Sequence, residues 1–228
     1  MVRRYFTGAV VMIRAVFWDN DGVLVDTEVL YFQATRELLA LTGVTLTEAL
    51  FTRISLQEGR SAFALAAERG VTPEEIDRLH EARNRRYTEL LQGGVRIMAG
   101  VKEALGALQG QVVQGVVTSS RREHFETMHQ GTGLLSHFDF ILTREDFTLS
   151  KPDPEPYQRA MARCGLGPED CVAVEDSPRG LASALAAGMR CLVVPNDLTR
   201  GHAWQGAWRI LESCREVPGA IAGANGRP

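Results

Sequence analysis

The feature that most constrains the fold is a rhythm in the second half of the chain, where short apolar runs bounded by polar turns alternate with segments of helix length. "QVVQGVVT" (111–118), "FDFIL" (138–142), "CVAVE" (171–175) and "RCLVVP" (190–195) are runs of this kind. Between them, Arg121 to Gln130, Pro154 to Cys164 and Pro178 to Ala187 carry helical patterns, and Gly165 and Gly188 stop the last two. Strands that are apolar along their whole length must be covered on both faces, and strands joined through helices run parallel. Ala15 to Trp18 adds one more strand of this type near the start, ending in the polar turn "DNDG" (19–22). The expected fold is therefore α/β: a Rossmann-like parallel sheet core with helices on both faces.

The stretch from 45 to 94 breaks the rhythm. It is rich in Ala, Leu, Glu and Arg and contains no strand-like run. Thr45 with Glu48, and Thr72 with Glu75, have the spacing of capping boxes, and Pro73 suits a first helical position. Ahead of this block, Asp26 and Thr27 suit an N-cap for a helix through Leu30, Leu38 and Leu41 to Gly43. An all-α cap domain inserted over residues 30–95 is expected, with 1–29 and 96–228 forming the α/β core.

A chain of 228 residues with a net charge of −3 offers no broad cationic footprint, which argues against nucleic acid or an anionic membrane as partner. No apolar run approaches the length of a membrane span. Cys164, Cys171, Cys191 and Cys214 form no C-x-x-C pair and read as small buried hydrophobes in a reducing compartment. His124 and His129 share one expected helix, but five residues apart they do not face one ligand, so both read as surface residues. The opening "MVRRYFTGAVVMIRAVFW" has no cleavage-site pattern and leads into the first strand, with Met12 an alternative start after an upstream tail. A cytoplasmic protein, monomeric or weakly homo-oligomeric, is the expectation.

In an open parallel sheet, ligands bind beyond the carboxyl ends of the strands. Asp19 and Asp21 follow the first strand, and Thr118, Ser119 and Ser120 the second. Lys151 lies on the loop after "FDFIL", and Glu175 and Asp176 end the fourth strand. Four strand ends thus deliver acids, hydroxyls and one lysine to a single edge. Clustered acids repel unless a cation joins them, and oxygen ligands favour Mg²⁺. A lysine with hydroxyls and amides then suits a phosphoryl group.

"DNDGVLVDTE" (19–28), "VVTSS" (116–120), "SKPDPEPY" (150–157) and "VAVEDSPRGLASALAAGM" (172–189), in that order, resemble the four motifs of the haloacid dehalogenase superfamily. The helical block is similar to that family's inserted cap. The resemblance implies Asp19 as nucleophile, forming a phosphoryl-aspartate, and Asp21 as general acid and base. It implies Mg²⁺ held by Asp19, the main-chain carbonyl of Asp21 and Asp176, with Glu175 close by. Thr118, the amide of Ser119, and Lys151 would hold the phosphoryl oxygens. The substrate would be a small phosphorylated metabolite.

Competing readings remain. A dehalogenase of this fold lacks the second aspartate, which is present here as Asp21. A phosphosugar mutase of the β-phosphoglucomutase type keeps every motif but carries a cap histidine where this chain has Tyr31. A non-catalytic phospho-ligand binder could dispense with a catalytic acid, yet none is missing. Neither G-x-G-x-x-G nor a P-loop occurs, which disfavours a nucleotide-dependent enzyme. For contacts from the cap to the remote part of the substrate, Arg53, Gln57 and Arg60 are the candidates.

Overall fold

The computed structural model describes residues 12–226. The proposed upstream tail before Met12 lies outside them. Strand β1 (Ala15–Trp18) is followed by four helices with no strand between them. These are α1 (Glu28–Ala40), α2 (Glu48–Phe51), α3 (Ala64–Ala67) and α4 (Pro73–Gln92). α2 continues into a wider helical turn over Thr52–Gln57, in which the amide of Glu58 reaches back five residues to the carbonyl of Arg53. The rest of the chain alternates: α5 (Val101–Leu108), β2 (Val113–Val117), α6 (Arg122–His129), β3 (Phe140–Leu142), α7 (Glu155–Cys164), β4 (Cys171–Glu175), α8 (Pro178–Ala186) and β5 (Arg190–Val193). A short β6 (Arg209–Ile210) and α9 (Val217–Ala224) complete it.

All six strands are parallel, in the order β3-β2-β1-β4-β5-β6. The chain starts at the centre, moves out to β3, then crosses back to β4. The reversal falls between β1 and β4, where the loops after the strands diverge and leave a crevice. Register aligns the ends: Trp18 pairs with Val116 on one side and Val174 on the other, so Asp19, Val117 and Glu175 stand level.

Alternate residues of the buried strands feed two separate cores. Val16, Trp18, Val172 and Val174 pack with α5, α6 and α9 on one face. Ala15, Phe17, Ala173 and Val193 pack with α7 and α8 on the other. The helices after β1 have a third core of their own, built around Phe32, Leu39, Phe51, Phe63 and Leu79. A fourth cluster, in which Tyr87 and Leu91 of α4 meet Val25 and Met128, joins that helical block to the sheet portion.

Several local expectations are corrected. Thr47, not Thr45, caps α2, its hydroxyl accepting from the amide of Leu50 at 3.2 Å. Thr27 sits at the start of α1 but makes no side-chain cap, and Asp26 pairs with Arg96 instead. His124 and His129 are not surface residues, since both are only 4% exposed. α6 packs against α4, where the His124 ring meets Tyr87, and His129 reaches Asn20 in the turn after β1. β6 carries no apolar periodicity and was not legible. Thr72 caps α4 and Pro73 lies in its first turn, but the box is half formed, since the Glu75 carboxylate pairs with Arg78. Of the four cysteines, all unpaired, three are buried and Cys164 is partly so.

Candidate active site

Each acid at the crevice is fixed by where its strand ends. β1 stops at Trp18, and the amide of Asp19 still bonds to the carbonyl of Val174 at 2.9 Å. The next turn closes on itself, with the carbonyl of Asn20 accepting from the amides of Val23, Leu24 and Val25. Gly22 adopts φ +81°, and a Cβ there would lie 2.1 Å from Oδ2 of Asp176. Only glycine allows the β1 turn to approach the end of β4 so closely. Gly180 does the same service on α8, where a Cβ would fall 1.9 Å from Oε2 of Glu175.

Lys151 is buried among the acids. Its Nζ donates to Oδ1 of Asp19 at 2.9 Å, to Oε1 of Glu175 at 2.6 Å and to the carbonyl of Val117 at 2.8 Å. All three of its protons are thereby placed. Burial works against this ammonium, but Asp19 and Glu175 outweigh it and hold its pKa above the ordinary lysine value. Glu175 also accepts from the phenol of Tyr157, so Oε1 is fully engaged.

One carboxylate oxygen from each of Asp19, Glu175 and Asp176 lies within 4.8 Å of the others. Asn196 donates to Oδ2 of Asp176 at 2.6 Å, while Oδ1 of Asp176 is buried with no partner. Burial raises the Asp19 carboxyl to about 7, with Lys151 opposing and Glu175 and Asp21 adding to the rise. Burial likewise pushes Asp176 well above the carboxylate range, helped by Asp19, Glu28 and Glu175. An orphaned buried oxygen inside a group of mutually repelling acids is what a divalent cation would satisfy. The donor set fits a hard cation.

Asp21 stands apart from that group. Its Oδ1 accepts from Thr27 at 2.6 Å and Tyr87 at 3.3 Å. Its Oδ2 accepts from Ser120 at 2.6 Å, Asn20 at 3.2 Å and Thr118 at 3.3 Å. Burial, and next the charge of Asp21, push the Tyr87 phenol well above its usual pKa, so it serves as donor. The sequence reading gave Asp21 to the metal through its main chain; its side chain belongs to the hydroxyl cluster. Thr118 is buried beside it and accepts from the amide of Ser120, and the buried Ser119 hydroxyl has no partner. Asp19, Asp21, Thr118, Ser119 and Lys151 line one cavity of about 400 Å³.

The far wall of that cavity comes from the helical block. Arg60 lines it, but is exposed and paired with Glu58. Arg53 and Gln57 do not line it, and Gln57 bonds to His202 instead. Arg83 on α4, which sequence reasoning passed over, is only 8% exposed. Its Nε donates to Asn84, its guanidinium lies 4.3 Å from the centre of the Tyr31 ring, and among the described residues no carboxylate lies within 4.0 Å of it. Glu28, His124 and Arg179 also face the cavity, and buried nitrogens of His124 and Arg179 have no partner. No local signal separates Arg83 and His124 from the other charges of helical segments; Asn20, Glu28, Ser120 and Arg179 lay inside the quoted motifs without a role, and Thr27 was read only as a helix cap.

A family model described as haloacid dehalogenase-like hydrolase matches residues 16–194. The protein CbbY of Rhodobacter capsulatus is 31% identical, over 92% of this chain and 97% of that protein. A phosphorylated carbohydrates phosphatase of Thermotoga maritima is 32% identical, over 84% of this chain and 89% of that one. The crystal structure of a CbbY variant from Rhodobacter sphaeroides in complex with xylulose-(1,5)bisphosphate superposes with a TM-score of 0.76 at 26% identity, covering 90% of this chain and 96% of that one. With the ordered strand-end motifs, the sheet order and these matches together, the chain belongs to the haloacid dehalogenase-like hydrolases.

Proposed function

We propose that the protein is a Mg²⁺-dependent phosphatase that hydrolyses a small phosphorylated metabolite through a phosphoryl-aspartate on Asp19. The observation that carries this reading is the divergence of two aspartates with one residue between them. Asp19 joins Lys151 and the acid group, whereas Asp21 turns to a cluster of hydroxyls on the opposite side. Two carboxylates in different surroundings suit two roles, nucleophile and acid–base.

In the first step an oxygen of Asp19 attacks phosphorus, the bond from phosphorus to the ester oxygen breaks, and Asp21 gives its proton to that leaving oxygen. Asp21, now a carboxylate, then takes a proton from water. That water's oxygen attacks phosphorus and releases phosphate and the Asp19 carboxylate. Thr118 and the amide of Ser119 would hold the phosphoryl oxygens throughout, and Lys151 would join them with the proton it gives to Asp19, freed as that carboxylate loses its charge to the new bond to phosphorus. Asp19 and Asp176, with the main-chain carbonyl of Asp21 and Glu175 nearby, would hold Mg²⁺. When bound, the cation shields the incoming phosphate from the nucleophile's charge.

The cap wall refines the substrate. A nearly buried guanidinium without a carboxylate partner calls for an anion, since an unpaired buried charge is costly. Arg83 therefore supports a substrate with a second anionic group, a phosphate or carboxylate, remote from the reacting one. The bisphosphate held by the CbbY relative has such a group. Against the mutase reading, Tyr31 packs edge-on to Tyr87 and presents a ring face to Arg83, and offers no imidazole. The test is a screen of phosphorylated metabolites with Mg²⁺, including sugar bisphosphates and phosphoglycolate. Release of phosphate that stops in EDTA and returns with Mg²⁺ is expected. Full turnover in chelator, or isomerisation of a sugar phosphate without phosphate release, would refute the proposal.

A further inference from the structure

Asn20 lies between the two aspartates and is fully buried in the turn after β1. Its carbonyl accepts three amides from Val23 to Val25, so its side chain is not needed to form that turn. The side chain makes other contacts. Oδ1 of Asn20 is 2.7 Å from Nε2 of His129, a residue 109 positions further along the chain. Nδ2 of Asn20 faces Oδ2 of Asp21 at 3.2 Å and Sδ of Met128 at 3.1 Å.

The hydrogen-bond inventory fixes every member of this chain. Both neighbours of Nδ2 are acceptors, so the amide nitrogen must face them and the amide oxygen must face His129. An amide oxygen cannot donate, so Nε2 of His129 carries the proton. Burial lowers the His129 pKa to about 4, so the ring is neutral and Nδ1, 3.3 Å from the hydroxyl of Thr132, is the unprotonated nitrogen. The imidazole is held from the side by the ring of Phe125, with centroids 4.4 Å apart. A rigid path therefore runs from α6 through His129 and Asn20 to the acid.

We propose that Asn20 and His129 act as a positioning pair for Asp21: His129 locks the Asn20 amide, and Asn20 holds Oδ2 of Asp21 toward the leaving oxygen. The assignment rests on the reading of Asp21 as acid and base. It predicts a loss confined to steps that need Asp21, since neither residue touches the phosphoryl group or Lys151.

The test compares kcat/KM, which reports the steps up to departure of the leaving group, for two esters. One is p-nitrophenyl phosphate, whose leaving group needs no proton. The other is an alkyl phosphate: phosphoglycolate, or the sugar phosphate that the wild type turns over fastest. Asn20→Leu and the double variant Asn20→Leu/His129→Leu should lose about tenfold on the alkyl phosphate and less than about twofold on p-nitrophenyl phosphate. His129→Gln, which keeps a donor for Asn20, should retain most of the alkyl activity. The double variant removes both polar partners, so it should melt closer to wild type than Asn20→Leu, which orphans His129. An unchanged ratio between the two esters in the folded double variant would overturn the assignment, whether both rates hold or both fall. A wild-type protein that hydrolyses neither ester would overturn the underlying phosphatase reading, and is told apart by appearing without any substitution.

Discussion

Nζ of Lys151 donates to Oδ1 of Asp19 at 2.9 Å in a position where the lysine side chain is almost wholly shielded from water. The same ammonium bonds to Glu175, so it is the only cation in direct contact with either acid among the described residues. Lys151→Met should therefore cost both stability and activity. Breaking a buried ion pair from one side typically costs about 3–5 kcal/mol. Thermal melts should show that loss in metal-free buffer, and added Mg²⁺ should restore part of it by neutralising the acids. A Lys151→Met protein as stable as wild type without metal would mean the acids are already protonated.

Asp19→Asn and Asp21→Asn should separate the two carboxylates. Asp19→Asn should reduce turnover to background with the fold intact. Asp21→Asn should still transfer phosphate from p-nitrophenyl phosphate to Asp19 but release it slowly, by about 10²–10⁴-fold. Intact-protein mass spectrometry after an acid quench should find the adduct on Asp21→Asn alone. An adduct on both variants would move the nucleophile elsewhere.

Gly22 touches the proposed cation site through its lack of a side chain. Gly22→Ala would force a residue at φ +81° and place a methyl against the Asp176 carboxylate. The left-handed backbone alone costs about 1–2 kcal/mol. Calorimetric titration with Mg²⁺ should show affinity falling well beyond what that destabilisation explains, and Asp176→Asn should show the same loss without the backbone penalty. Unaltered Mg²⁺ affinity in both would remove Asp176 from the site.

Arg83→Ala should raise KM for a bisphosphorylated or carboxylated substrate by about 10- to 100-fold, the range of a charge-assisted hydrogen bond. The KM of p-nitrophenyl phosphate, which has no second anionic group, should change little. Arg60→Ala should have a smaller effect, because Arg60 is exposed and already paired with Glu58. Equal KM changes for both substrates would return Arg83 to a packing role on Tyr31.

Glu28 makes stability depend on pH. Burial raises its carboxyl from 4.5 to about 8, Arg179 opposing and Asp21, Asp19 and Glu175 adding to the rise. Between those values the folded protein keeps a proton that the unfolded chain has released. Stability from this group is thus complete below about 4.5 and is lost as pH rises towards about 8. Each pH unit crossed costs up to about 1.4 kcal/mol. In metal-free melts, Glu28→Gln should match wild type near the acid end of that window and exceed it at the alkaline end. Parallel pH profiles would show that Glu28 is ionised throughout.

The strand runs, the helical block and the strand-end acids were legible because they depend on local chemistry. A fully buried strand must be apolar for its whole length, and an abrupt change to Asp, Ser or Lys marks where it leaves the sheet. That logic located Asp19, Asp21, Thr118, Lys151, Glu175 and Asp176 and placed them at one edge. Motif order supplied the rest of the family reading. The contacts between these residues were a tertiary matter. Sequence spacing cannot show that Asp21 turns away from Asp19 toward Thr27, Tyr87 and Ser120, because Tyr87 on α4 and Ser120 before α6 reach it only through tertiary packing. It read Thr27 as a cap, since a threonine before a helix has that role locally, until Asp21 took its hydroxyl. His129 and Arg83 carry the side-chain types of a solvated helix face. Burial against elements far along the chain left one bound to Asn20 and the other without a carboxylate partner, since desolvation depends on what covers a residue and not on its neighbours in sequence.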